Sequence, residues 1–404
     1  MTEPPPSAPT HLLRSHSSFI SAVAFSDDNE RLYSGDGSGH VVVTSTRSLR
    51  TITSWYAHTD GLLGVEEWGN RVITQARDNK LHVWARIEEL PASARLGGSA
   101  AQPNLPTPAL CFSMDVNALN YCRFSLTGLP RNHLVKDEND SGLLAVPNLV
   151  DSSVADIWAL PSCQRVHAAI GQAGRRSTLL SGEKSKTGIL MSLHLFSASR
   201  EQYVLTATSS KVDEELRILC AYESGEVTLR RYASVDLQTS VEGAGWEVIW
   251  NVKLHVESVM AMRVSRANDL ALTVSADHLI CRYDISSVDI TPEITCVTHR
   301  TKHPGNASIA IRDDGKICAV GGWDGKIRLY TTRTLKPLGT LEYHKTSCQV
   351  VEFSRSADTV VAREEDESDN EISEDEKLNR TRWLVGGGKD NRVSVWPLIS
   401  FQKN

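Results

Sequence analysis

The sequence predicts an all-β fold, a seven-bladed β-propeller whose ring is closed by an N-terminal strand, and three observations predict it. At 404 residues the chain exceeds one ordinary compact domain, so it holds two domains or one repeat architecture. Four separate segments share one hairpin pattern, an Asp followed six positions later by an aromatic. A His stands upstream of each, at a near-constant offset in three of them.

The hairpins read Asp78-Asn-Lys-Leu-His-Val-Trp84, Asp277-His-Leu-Ile-Cys-Arg-Tyr283, Asp324-Gly-Lys-Ile-Arg-Leu-Tyr330 and Asp390-Asn-Arg-Val-Ser-Val-Trp396. Each follows a short apolar run, and apolar run, polar turn and renewed alternation together signal a β-hairpin. His58 lies 20 positions before Asp78, His255 lies 22 before Asp277 and His303 lies 21 before Asp324. His344 lies 46 before Asp390, because an acidic tract is inserted between them.

Three weaker repeats fill the remainder. The first runs from His16 to Gly39-His-Val-Val-Val43 and keeps Ser34, with Ser38 at the Asp position and Thr44 at the aromatic one. The third is traced from Leu110-Cys-Phe112 through Leu143-Leu-Ala-Val146 to Asp156-Ile-Trp158, with Ser152 at the Asp position. The fourth runs from Val166-His167 to Gly225-Glu-Val-Thr-Leu229 without a closing aromatic. Residues 1–10 are expected to be disordered and 11–400 to form the propeller, with His11-Leu-Leu-Arg14 pairing into the last blade so that no sheet edge is left open. Polar insertions are expected at 91–108, 127–142, 171–188 and 362–381, the last an acidic loop.

Charge and cysteines narrow the function classes. The net charge is −6, but nine acidic residues fall between Glu364 and Glu376, so the rest is close to neutral. No broad basic stripe remains for direct nucleic-acid binding. The eight Cys are scattered without C-x-x-C or zinc spacing and read as reduced core residues. The first residues, MTEPPPSAPT, have neither a basic nor an apolar secretory region, and no run reaches the ~18 apolar residues that span a bilayer. Gly35-Asp-Gly-Ser-Gly39 lacks the Lys of a phosphate loop and reads as a tight turn. Ser368 and Ser373, each followed by acidic residues, are candidate phosphorylation sites, and deletion of 363–380 is expected to leave folding intact. Trp323, just before its repeat Asp, is a candidate partner contact.

With the His-to-Asp spacing and the terminal aromatic in place, the chain resembles the WD-repeat proteins. The resemblance implies radial blades of four antiparallel strands, each repeat about 40–45 residues long. It also implies a hydrogen-bonded set of His, Ser/Thr, Asp and Trp within a blade. Carried over, that set is His58, Thr74, Asp78 and Trp84 in blade two, and His255, Thr273, Asp277 and Tyr283 in blade five. Blade six (His303, Asp324, Tyr330) has Val320 at the hydroxyl position, and blade seven (His344, Asp390, Trp396) has Gly386, so both sets are expected to be partial. A His–Asp pair beside a hydroxyl invites a catalytic reading, but its recurrence across blades makes it framework. No catalytic, cofactor-binding or metal residue is assigned.

The stretch Gly39-His-Val-Val-Val-Thr with Trp55-Tyr-Ala-His-Thr-Asp-Gly-Leu-Leu63, Gly321-Gly-Trp-Asp-Gly325 and the acidic insertion resemble the fungal ASTRA-associated protein 1 family. That resemblance implies a nuclear, non-catalytic scaffold of the ASTRA complex, linked to chromatin regulation and maturation of phosphatidylinositol-3-kinase-related kinases. The implied partners are ASTRA components, kinase-maturation cochaperones and AAA+ ATPases, with no nucleic acid, membrane or small-molecule substrate. The alternative is a substrate adaptor of a cullin-type ubiquitin ligase, for which Trp84-Ala-Arg86 is a partial motif.

Overall fold

The computed structural model describes residues 6–89, 105–119, 121–128, 141–172, 187–199, 214–234, 239–286, 296–356 and 374–398. Among the described residues the strands form seven four-stranded antiparallel sheets. Strand β1 (His11–Leu13) is followed by blade 1, made of β2 (Ile20–Phe25), β3 (Arg31–Asp36), β4 (His40–Ser45) and β5 (Thr51–Tyr56). Blade 2 is β6 (Leu62–Trp68), β7 (Arg71–Ala76), β8 (Lys80–Ala85) and β9 (Leu110–Asp115). Blade 3 is β10 (Ser125–Gly128), β11 (Gly142–Pro147), β12 (Ala155–Leu160) and β13 (Gln164–Ile170). Blade 4 is β14 (Leu190–Ser199), β15 (Glu214–Tyr222), β16 (Glu226–Tyr232) and β17 (Trp246–Lys253). Blade 5 is β18 (Val259–Val264), β19 (Leu270–Ser275), β20 (Leu279–Asp284) and β21 (Cys296–Arg300). Blade 6 is β22 (Asn306–Ile311), β23 (Ile317–Gly322), β24 (Lys326–Thr331) and β25 (Pro337–Glu342). Blade 7 is β26 (Cys348–Phe353), β27 (Trp383–Gly388) and β28 (Val393–Pro397), and β1 pairs along β28 as its fourth strand. The N-terminal strand thus completes the C-terminal sheet, and pairing starts already at Thr10, whose N–H donates to the Val395 carbonyl at 2.9 Å.

The chain divides into two compact units, residues 1–115 with 303–404, and residues 116–302. The first holds blades 6, 7, 1 and 2, and the second holds blades 3, 4 and 5. In each unit the core lies between neighbouring sheets. Val41, Val43 and Trp55 of blade 1 pack with Val65, Val72 and Trp84 of blade 2, and Leu219, Leu229 and Trp250 of blade 4 pack with Ala271, Cys281 and Tyr283 of blade 5. Alternation puts these side chains on one sheet face, and burying that face against the next sheet is the main stabilising term. The hairpin turns follow the local sequence. Asn79 and Gly325 follow the repeat Asp and adopt φ of 62° and 80°, a region that Asn tolerates and Gly enters freely.

The structure corrects three element boundaries. Leu110–Phe112 lies in β9, the outermost strand of blade 2, not at the start of blade 3, and Val166-His167 lies in β13, the outermost strand of blade 3. Apolar content alone does not tell the last strand of one sheet from the first strand of the next. The third correction concerns the acidic insertion. Residues 374–380 form a helix, α1 (Glu374–Arg380), whose Arg380 is buried against blade 1, with Nη1 3.3 Å from Thr46 Oγ1 and 3.4 Å from Glu30 Oε1. Ser368 and Ser373 lie outside the described residues, as do 91–104, 129–140, 173–186 and 362–373 of the four insertions. No helix among the described residues is long and apolar enough to cross a membrane.

Candidate functional site

The residues that most resemble catalytic machinery sit where one sheet's entry loop meets its own central hairpin. In blade 2, His58 Nδ1 lies 3.0 Å from Asp78 Oδ2 and Nε2 lies 2.8 Å from Thr74 Oγ1, while Trp84 Nε1 donates to that hydroxyl at 2.9 Å. The donors chain in one direction: indole N–H to hydroxyl, hydroxyl to imidazole, imidazole N–H to carboxylate. In blade 5, His255 meets Asp277 at 3.0 Å and Thr273 at 2.8 Å, and the Thr273 hydroxyl lies 3.2 Å from Tyr283 Oη. Burial holds both imidazoles below the ordinary histidine pKa even though the neighbouring carboxylates pull the other way.

Blade 7 carries a full set after all. His344 Nδ1 lies 2.9 Å from Asp390 Oδ1, and its Nε2 lies 2.9 Å from Ser394 Oγ, which also accepts the Trp396 indole N–H at 3.0 Å. The hydroxyl comes from β28, directly across the ladder from Gly386. A Cβ on Gly386 would stand 3.2 Å from Ser394 Oγ and 2.5 Å from Ile327 Cδ1, so the bare glycine makes room for the transposed hydroxyl. Blade 1 is also corrected. Its carboxylate is Asp36, 2.9 Å from His16 Nδ1, while His16 Nε2 lies 2.8 Å from Ser34 Oγ. Ser38, at the expected Asp position, instead donates its N–H (2.8 Å) and hydroxyl (2.6 Å) to Asp36. Although burial opposes ionisation, these hydrogen bonds from His16 and Ser38 hold the Asp36 carboxyl well below the usual range.

Blade 6 departs further. His303 is exposed, and Asp324 is held by Arg328, whose Nη1 donates to Oδ1 at 3.2 Å. Arg328 stands opposite Val320, so the guanidinium replaces the His–hydroxyl relay; Tyr330 stays buried. In blade 3 the relay is made of amides. Asn148 Nδ2 donates to Asp156 at 2.9 Å, and Asn117 Nδ2 donates to the Asn148 carbonyl at 2.8 Å and to Ser152 Oγ at 2.9 Å. Ser152 therefore does not take the Asp role, which falls to Asp156. Only Ser394, one of a Gly–Ser pair facing across a hairpin two residues before the aromatic, had a signal in the sequence.

These sets are built to hold loops. Thr74, Thr273 and Ser394 are 0% exposed and Ser34 is 2% exposed, so no substrate carbon can reach any of the hydroxyls. Among the described residues two clusters have His/Asp/His composition, His16–Asp36–His40 and His58–Asp78–His82. In each, the first histidine has both ring nitrogens committed within its own blade. The His58 and His82 rings are stacked 4.5 Å apart at 22°, so their lone pairs lie in separate, nearly parallel planes, a poor arrangement for holding one ion.

What remains for function is the surface that the sets position. Turn N–H groups bond entry-loop carbonyls in the same way in several blades: Gly37 to Phe19 (2.9 Å), Arg77 to Gly61 (3.0 Å), Trp323 to Gly305 (2.8 Å) and Lys389 to Ser347 (2.9 Å). Trp323 is 50% exposed and lies flat on Gly305, where any Cβ would meet its ring at 2.5 Å. Phe19, 39% exposed, lies on Gly37 in the same manner. In the second unit, the pinned loops of blade 3 expose Leu119, Tyr121, Leu149 and Val150. Such anchored apolar side chains suit protein contacts.

Comparison with known proteins places this architecture. Residues 7–45 and 294–331 match the family model described as WD domain, G-beta repeat. A crystal structure of the Myceliophteria thermophila Cps50 (Swd1) beta-propeller domain superposes with a TM-score of 0.60 at 12% identity, covering 98% of this chain and all of that one, which shows the β-propeller fold. The chain is similar to ASTRA-associated protein 1 of Aspergillus niger, 30% identical with 98% of each chain covered. It is similar also to that of Schizosaccharomyces pombe, 27% identical over 96% of this chain and 98% of the relative. With the Penicillium rubens protein of that name 30% identical over 97% of this chain and 98% of its own length, the chain belongs to the ASTRA-associated protein 1 family.

Proposed function

We propose that this chain is a non-catalytic scaffold subunit of an ASTRA complex, acting in the nucleus in chromatin regulation and in maturation of phosphatidylinositol-3-kinase-related kinases. The observation that carries the reading is the near end-to-end relationship to proteins named for their ASTRA association. The geometry supports it from the chemical side. Every His–carboxylate–hydroxyl set is consumed in holding loops, and those loops present half-exposed aromatic and aliphatic side chains. Kinase-maturation cochaperones and AAA+ ATPases are the partners this reading expects.

The ubiquitin-ligase adaptor reading loses its residue. Arg86 is only 6% exposed in its side chain and is clamped between Glu67, at 2.9 Å, and Glu88, so it is not presented to a partner. Size-exclusion fractionation of a native nuclear extract tests the proposal. The chain should elute far above its monomer position, together with ASTRA components; elution as a monomer from an extract whose ASTRA complex is intact overturns it.

A further inference from the structure

Within the first unit, the entry loops and central turns of blades 6, 7, 1 and 2 lie at one end of their sheets. The equivalent turn or loop position carries, in blade order, Trp323, Lys389, Phe19 and Arg77, an aromatic and a cation alternating. All four side chains are exposed. The pairing behind this is consistent: in each blade one partner of the turn-to-loop bond is small (Gly305, Ser347, Gly37, Gly61) and the other is large.

The arc is continuous and stiff. Between blades 6 and 7, a Cβ on Gly325 would stand 2.2 Å from the His344 carbonyl oxygen, so the two backbones are in direct contact. Between blades 7 and 1, Asn391 Nδ2 donates to the Ser17 carbonyl at 2.9 Å. Between blades 1 and 2, the N–H groups of Ala57 and His58 both donate to the Gly39 carbonyl, at 3.0 and 3.2 Å. A partner that meets this rim meets side chains already fixed in place, which lowers the ordering cost of binding.

The charge is sorted as well. Asp78 and Asp390 point at His58 and His344, and Asp324 is held by Arg328. The exposed Lys345 and Lys389 form no salt bridge with a described residue. Lys389 therefore faces outward between the Trp323 and Phe19 platforms, while most carboxylates of the rim are turned to internal partners. Asp60 and Asp324 remain exposed along the same rim, so an occupant has to place its negative charges at intervals that meet the cations and avoid these carboxylates, which a continuous polyphosphate backbone does not do.

From this arrangement we propose that the Trp323–Lys389–Phe19–Arg77 arc is the docking surface for an extended acidic segment of a partner protein, one in which carboxylates alternate with apolar side chains. The inference rests on the scaffold reading above and names its surface. Apolar residues of the segment seat on Trp323 and Phe19, and its carboxylates pair with Lys389 and Arg77.

Site-specific photo-crosslinking in the full-length chain tests it, with p-benzoylphenylalanine at position 19 or 323 and the complex recovered from native cells through a tag. The expected product is a crosslink to a partner peptide rich in Asp, Glu and apolar residues. Lys389→Glu and Arg77→Glu should each lower its yield by about tenfold. Both sites are exposed, so an unchanged melting temperature shows that the variants are folded. Crosslinks to nucleic acid, crosslinks to a basic or uncharged segment, or yields indifferent to both charge reversals overturn the proposal. If the unsubstituted chain recovers no complex at all, the scaffold reading fails; if the complex is recovered but neither position crosslinks to it, only the arc fails.

Discussion

Ser394 stands directly across the β27–β28 ladder from Gly386 and supplies the hydroxyl that Gly386 lacks, closing the blade 7 relay between Trp396 and His344. Ser394→Ala removes one buried oxygen that serves two buried nitrogens. It should cost about 2–3 kcal/mol of stability, read as a shift in urea midpoint at unchanged slope. Gly386→Ser should also destabilise, because its Cβ meets Ile327 and Ser394 rather than His344. A neutral Ser394→Ala variant would mean that the relay holds nothing.

Asn29 clasps blade 1 to blade 7. Its Nδ2 donates to the Arg355 carbonyl and its Oδ1 accepts the Arg355 N–H, each at 2.8 Å, across 326 positions. Asn29 itself has φ of 57°, so Asn29→Gly keeps the backbone comfortable and deletes only the clasp. The expected loss is about 1–3 kcal/mol, seen in thermal or urea unfolding. Unfolding unchanged from that of the parent chain would show that the clasp is incidental.

The helix at the end of the acidic tract is an anchor. Removing residues 363–380 takes away Arg380, 3% exposed and bonded to Glu30 and Thr46, so the deletion should lower the melting temperature. Arg380→Ala should reproduce most of that drop. Differential scanning calorimetry of both variants decides it, and a deletion as stable as the parent chain would restore the original expectation for this segment.

Acid should destabilise the fold before the carboxylates titrate. Burial pushes His167 and His194 down to about 4. Between that value and the ordinary 6.5 the unfolded chain binds protons that the native chain refuses. Stability is therefore full above about pH 6.5 and falls as pH drops toward about 4. His167→Asn keeps a partner for Ser240, which sits 2.9 Å from His167 Nδ1, yet cannot titrate. Its urea midpoint should change less than that of the parent chain between about pH 7.5 and about pH 5; equal slopes would contradict the assignment.

Thiol chemistry gives an independent check on the core. Cys122, Cys220, Cys281, Cys318 and Cys348 are buried, and burial pushes the thiols of Cys318 and Cys348 up to about 12. A thiol reagent should modify Cys111 readily in the native protein, Cys163 and Cys296 more slowly, and the other five only after denaturation. Rapid labelling of all eight in the native state would be incompatible with this packing.

Much of the fold was legible because strand alternation and turn chemistry are local. The hairpins ending at Trp84, Tyr283, Tyr330 and Trp396 lie where their Asp-to-aromatic spacing puts them, and the N-terminal strand pairs with β28. What escaped was set by contacts across a ladder or between loops. Asp36 reaches His16 from two positions ahead of the expected site, and Ser394 reaches His344 from the opposite strand. Asn117 and Asn148 build the blade 3 relay from amides where the other relays use a histidine. Trp323 stood out as a candidate contact from its place beside the repeat Asp, but its exposure became visible only in the structure, as did that of Phe19, whose ring lies on Gly37. The family itself was legible from a few motifs; the partners are not, because contact side chains on loops have no fixed spacing.

What the chain holds in its native setting is the most direct test of the scaffold role. Affinity purification of the tagged full-length protein, followed by mass spectrometry, should recover ASTRA components with kinase-maturation cochaperones and AAA+ ATPases, in amounts comparable to the bait. Recovery of a cullin adaptor in their place, or of no stable partner, would contradict it.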